Sequence, residues 1–148
     1  MRISTATLAA ALGLVVAGCG DNPTCNDQTP PISGVPSCEA VAGTSVTVPL
    51  RVCPRCDQSA PRCAVHMENV GSFAIQLEPL SEVCEANSSC PLVDPLSCPF
   101  APVNCTFTAP SAGIYTLVVI DPAGQQIPNK QLTVIAGGTP AACTGYSL

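Results

Sequence analysis

Apolar and polar side chains alternate one for one along much of the chain from Ser45 onward. Val46, Val48, Leu50 and Val52 share one face, opposite Ser45, Thr47, Pro49 and Arg51. Cys63, Val65 and Met67 alternate with Arg62, Ala64, His66 and Glu68, and Phe73, Ile75 and Leu77 with Ser72, Ala74, Gln76 and Glu78. Val103, Cys105 and Phe107 oppose Asn104, Thr106 and Thr108, and Leu132 and Val134 oppose Gln131 and Thr133. Successive strand side chains point to opposite faces, so this period of two predicts strands covered on one side. Ile114 to Ile120 is almost wholly apolar and β-branched, which predicts a central strand buried on both faces. Turn signals separate the runs at Asn69-Val70-Gly71, Ala109 to Gly113 and Asp121-Pro122-Ala123-Gly124. The pattern predicts an all-β domain, an antiparallel sandwich of six or seven short strands.

Composition narrows this picture. A length of 148 residues suits one domain. The 47% hydrophobic content includes 11 cysteines, while aromatics are 3% and tryptophan is absent, so the apolar interior is thin. Charged residues at 10% and a mean hydropathy of +0.38 exclude a charged disordered chain. Five Lys and Arg against a net charge of −5 exclude a nucleic-acid surface.

The first residues carry an address. Met1-Arg2 supplies a positive start, and Thr5 to Ala17 is small and apolar, of signal-peptide length and too short to span a bilayer. It runs through Leu14-Val15-Val16-Ala17-Gly18 into Cys19. This resembles the lipobox of bacterial lipoproteins, in which an aliphatic residue and two small ones precede an obligatory cysteine. The resemblance implies that 1–18 is a removed signal peptide, that the Cys19 thiol carries diacylglycerol, and that the partner is the membrane. Gly20 after the cysteine implies the outer membrane, facing periplasm or exterior. Two or more acyl chains anchor stably where one does not. The mature chain keeps Arg51, Arg55, Arg62 and Lys130 against ten acids, a mild acidity that names no partner.

Taking Cys19 for lipid leaves Cys25, Cys38, Cys53, Cys56, Cys63, Cys84, Cys90, Cys98, Cys105 and Cys143, an even set of ten. In an exported protein these are disulfide candidates, with about 945 possible pairings. Short separations suggest Cys84 with Cys90 and Cys98 with Cys105 as local clips, and Cys143 ties down the C-terminal tail. Residues 19–37, with four prolines and no periodicity, read as a lipidated tether to a domain over 38–148, its start pinned if Cys25 is bridged. Ser81 to Pro102 holds three cysteines and four prolines and reads as a disulfide-clipped excursion, the first candidate for a binding surface.

Thr106 to Asp121, TFTAPSAGIYTLVVID, resembles the end of an immunoglobulin-like or fibronectin-like domain. There a strand, a Pro/Gly corner and a strand opening with tyrosine follow in order. The resemblance implies that the Tyr115 hydroxyl bonds backbone a few residues upstream. Leu117 stands where an antibody-type domain has cysteine.

Catalytic chemistry finds few groups. Cys53-Pro54-Arg55-Cys56, then Cys63 and His66, has the spacing of four zinc ligands, against which stands the oxidising compartment that would pair the cysteines. A redox CxxC needs a following helix, and Pro61 leaves no room for one. His66 is the single histidine, and no nucleophile elbow or phosphate loop is present. Glu78, Glu82 and Glu85 read as solvated charges, and the sequons at Asn87 and Asn104 are not acceptors in a bacterial lipoprotein. The expectation is a non-catalytic, cofactor-free binding or structural domain on a lipid anchor, with an envelope protein as partner. A periplasmic zinc module is the alternative.

Overall fold

The computed structural model describes residues 25–67, 73–84, 90–91 and 98–147. Among these the chain forms nine strands: β1 (Asn26–Gln28), β2 (Ile32–Val41), β3 (Ser45–Val52), β4 (Arg62–Met67), β5 (Ala74–Val83), β6 (Ala101–Thr108), β7 (Gly113–Ile120), β8 (Gln126–Ile135) and β9 (Thr144–Ser147). One hydrogen-bonded path runs β1-β5-β7-β8-β2-β3-β6, with β4 added to β5 and β9 to β2. The sheet curls on itself at β2. Ile32 and Gly34 pair with β3, whereas Cys38 to Val41 pair with β8.

The all-β class expected from the alternation is present, but the pairing is mixed. β2 runs parallel to β8 and β5 parallel to β7, so the sheet is not the antiparallel one expected. Alternation reports which face is covered and is the same for either direction of the neighbour. The inward faces follow the alternation closely. Val48, Leu50, Val52, Val103, Cys105, Ile75, Leu77, Leu117 and Leu132 are all essentially inaccessible. β7 departs from expectation at its start. Its Ile114 is 59% exposed, and only Leu117 to Val119 form a run buried on both faces.

β2 carries no clean alternation, and the proline-rich reading of 19–37 missed it. Residues 26–28 and 32–37 lie in strands. At the curl both sides of the chain are covered, so Gly34, Val35 and Pro36 are buried in succession. Pro36 falls between the β3 pairing and the β8 pairing, where its missing N–H leaves no gap in either ladder. Gly34 lies against β9 and β3. A Cβ there would meet Tyr146 at 3.4 Å and the Arg51 side chain at 3.6 Å.

β2 and β3 join through Val41-Ala42-Gly43-Thr44. The Thr44 N–H donates to the Val41 carbonyl at 3.1 Å, and Gly43 takes a φ of 74°, a conformation that favours glycine. The excursion expected over Ser81 to Pro102 is shorter at both ends, because Ser81 to Val83 complete β5 and Ala101-Pro102 open β6. The turn expected at Asn69-Val70-Gly71 lies outside the described residues. The one at Asp121 is built by its carboxylate, which accepts from the N–H of Ala123 (2.9 Å) and of Gln125 (2.7 Å).

Two features lock the layers. The Tyr115 hydroxyl donates to the Ser111 carbonyl at 2.9 Å, as the corner resemblance implied, and fixes the β6–β7 connection to the start of β7. Cys63 on β4 is bridged to the fully buried Cys105 on β6, joining strands that have no backbone register in common. Removing a neutral hydrogen bond costs about 1 kcal/mol. Removing a bridge that closes 42 residues costs about 4 kcal/mol in the chain-entropy picture. We therefore predict that the pair Cys63→Ala/Cys105→Ala lowers the urea midpoint several times more than Tyr115→Phe does, both measured without reductant.

Candidate functional site

Strand directions gather the connections at two ends. Cys25, the start of β2, the end of β3, the start of β4, the end of β5 and the start of β6 lie at one end, where three disulfides concentrate. Cys25 is bridged to Cys84, Cys53 to Cys98 and Cys56 to Cys90. The remaining bridge, Cys38 to Cys143, pins the segment after β8 onto β2, as the tail argument for Cys143 anticipated. The local clips Cys84–Cys90 and Cys98–Cys105 do not form. Each of those four cysteines is carried by its strand or loop toward a distant partner, because strand direction outweighs the small entropic advantage of a short loop.

The β3–β4 connection is where the sequence suggested metal or redox chemistry. Its backbone makes a turn, not a helix start. Gln58 N–H donates to the Arg55 carbonyl at 3.0 Å, and Arg55 N–H donates to Gln58 Oε1 at 2.7 Å. The Arg55 guanidinium holds the nearly buried Asp57 carboxylate with two bonds, 3.1 and 3.0 Å. Ser59 and Glu82 exchange bonds, Ser59 N–H to the Glu82 carbonyl and Glu82 N–H to Ser59 Oγ, each 2.9 Å. Cys53, Cys56 and Cys63 thus enter three different bridges. His66 sits apart on exposed β4, with Nε2 3.0 Å from Glu78 Oε2. A disulfide sulfur has no thiolate to give a metal. Glu82 also lies near the Cys25 and Cys84 sulfurs, and those two are likewise joined to each other.

Beside this end is an arrangement that the alternation did not signal. The Arg51 guanidinium lies 3.9 Å from the centre of the Tyr146 ring and 4.4 Å from that of Phe100. Arg51 was legible only as a polar position on β3. The stack depends on β9 returning beside β2, which sets Tyr146 next to Gly34 and Arg51. Phe100 is 50% exposed, so the stack faces solvent and contributes about 0.5–1 kcal/mol per contact.

At the opposite end the connections after β2, β6 and β8 are knitted by backbone bonds. Gly43 N–H donates to the Ala109 carbonyl at 3.0 Å, Ala109 N–H to Thr44 at 2.8 Å, and Ala42 N–H to Ile135 at 2.9 Å. Met67 and Phe73 stand there 47% and 63% exposed, Phe73 with its ring 5.6 Å from that of Tyr115. A hollow of about 220 Å³ on the flank is lined by Ser37, Glu39, Gln131, Thr133 and Thr144, and Glu39 already accepts from the Ala141 N–H at 2.8 Å. Glu78 and Glu82 lie on β5, one with His66 and the other beside the Ser59 exchange. Cys19, Glu85 and Asn87 lie outside the described residues.

With the bridges intact, titration of denatured, unreduced protein is expected to find none of the ten domain thiols free, and added zinc is expected to leave the thermal midpoint unchanged. Four free thiols with stoichiometric zinc by elemental analysis would establish the metal alternative instead. Compared with protein-family models, with curated proteins and with solved structures, the chain matches none.

Proposed function

We propose that this chain is a lipid-anchored protein of the bacterial cell envelope whose disulfide-bridged β domain acts without catalysis, as a binding or structural module. The observation that carries the reading is the pairing of the cysteines. Ten of the eleven bond to one another in the domain, and the one left over is Cys19, at the end of the lipobox-like Leu14 to Gly18. Five disulfides belong to an oxidising compartment outside the cytoplasm, which agrees with a signal peptide. Among the described residues no helix is long and apolar enough to cross a membrane, which leaves the acyl chains as the attachment proposed here.

An anchor at Cys19 would orient the domain. Five residues separate Cys19 from Cys25, and the six backbone steps reach about 20 Å when fully extended. The thrice-bridged end would then rest near the lipid, with Arg51, Phe100 and Tyr146 beside it. The opposite end, with Ala42 to Thr44, Ala109 to Ala112, Met67 and Phe73, would point away and meet an envelope partner. On this orientation Cys84, Cys90 and Cys98 stay beside the bilayer, so the distal connections are the better-placed surface. The immunoglobulin-like likeness is supported by the Tyr115 corner. The parallel β5–β7 pair sets the domain apart from an all-antiparallel sandwich.

Cys19→Ala is expected to move the protein from the membrane pellet to the soluble fraction and to remove the acyl mass from the intact polypeptide. An unchanged distribution would overturn the anchor.

A further inference from the structure

The cysteines of the domain follow one another as Cys25, Cys38, Cys53, Cys56, Cys63, Cys84, Cys90, Cys98, Cys105 and Cys143. None of the five bridges joins two neighbours in that order. Cys25 passes over four cysteines to reach Cys84, and Cys38 waits for Cys143, 105 residues on. Cys53 and Cys56, three apart, are bridged 45 and 34 residues away. Chain entropy favours the opposite outcome. Closing the six-residue span from Cys84 to Cys90 is about thirtyfold more probable than closing the 59 residues from Cys25 to Cys84, by the three-halves power of loop length. A chain emerging N-terminus first also presents Cys25, Cys38, Cys53, Cys56 and Cys63 to one another before the native partner of any of them exists. Wrong, local bridges therefore form first.

Those bridges have to be undone before the sheet closes. Cys38, Cys53, Cys90 and Cys105 are buried in the folded domain, where no external thiolate reaches them. We infer that the chain is a client of a thiol–disulfide isomerase, a partner presenting a reduced, low-pKa CxxC thiol in the compartment where the domain folds. The isomerase thiolate attacks one sulfur of a wrong bridge. A mixed disulfide forms, and the other cysteine of that bridge leaves as a thiolate. That thiolate attacks the next wrong bridge, and the last one freed attacks the mixed disulfide and releases the isomerase thiolate unchanged. One S–S bond breaks for each one formed, and no electrons are gained or lost. Burial of Cys38, Cys53, Cys90 and Cys105 covers one sulfur in each of four native bridges and slows further exchange there.

The test uses the mature Cys19→Ser chain, which carries the same ten thiols whether or not the anchor exists. It is reduced, denatured, and reoxidised either with a dithiol oxidase alone or with the oxidase plus a reduced CxxC isomerase. Linkages are read by mass mapping of unreduced peptides. The oxidase alone is expected to give mainly neighbouring pairs, Cys53–Cys56 and Cys84–Cys90 among them. The isomerase is expected to raise the yield of the five native linkages about tenfold, and an isomerase lacking its second CxxC cysteine to be trapped as a mixed disulfide with the chain. Full native pairing from the oxidase alone, or no gain on adding the isomerase, overturns the inference.

Discussion

Edges β4 and β6 of the curled sheet lie against each other with no shared ladder, and the Cys63–Cys105 bridge is what holds them together. At the other side of the curl the two layers are continuous through β2. A sheet closed by backbone pairing on one side and by sulfur on the other needs less apolar interior than an ordinary sandwich. The interior is small accordingly. It is built of Val, Leu, Ile and Ala with Phe107 and Tyr115 at its margins, and no tryptophan. Bridges act mainly by narrowing the unfolded ensemble, so they remain effective where buried area is limited.

The same sulfur chemistry governs what the surface can do. Cys53, Cys56 and Cys63 are bridged to three different partners, and the connection between them is rigidified by the Arg55–Asp57 pair and the Ser59–Glu82 exchange. Ionisable groups are committed in small pairs, Arg62 with Asp27 and His66 with Glu78, on exposed strands where such pairs add little stability. The two ends of the domain differ in kind. One is covalently dense and includes Cys25; the other is held by backbone bonds and carries exposed Met67 and Phe73.

Much of this was open to reading from residue order alone. The faces of β3, β6 and β8 followed from alternation, since a side chain's face depends only on its parity along the strand. The corner at Tyr115 was legible because the hydroxyl reaches only a few residues upstream. Cysteine parity required one of the eleven to stay outside the bridges, and the lipobox resemblance named Cys19 for it. Local geometry suffices in each case.

What the sequence could not decide is whatever depends on two distant segments meeting. Parity is blind to neighbour and direction, so β2–β8 and β5–β7 could not be seen as parallel. β2 itself was hidden, because Gly34, Val35 and Pro36 are buried in succession and break the alternation that a strand covered on one side shows. Disulfide partners were the hardest to read. Loop entropy favours Cys84 with Cys90, whereas the ends of β1, β3 and β5 bring Cys25, Cys53 and Cys56 to the excursion, and the packed sheet prevails. The residue order determined the class and the inward faces; tertiary packing alone chose the pairings, because a native sulfur bond persists only between groups that the fold holds side by side.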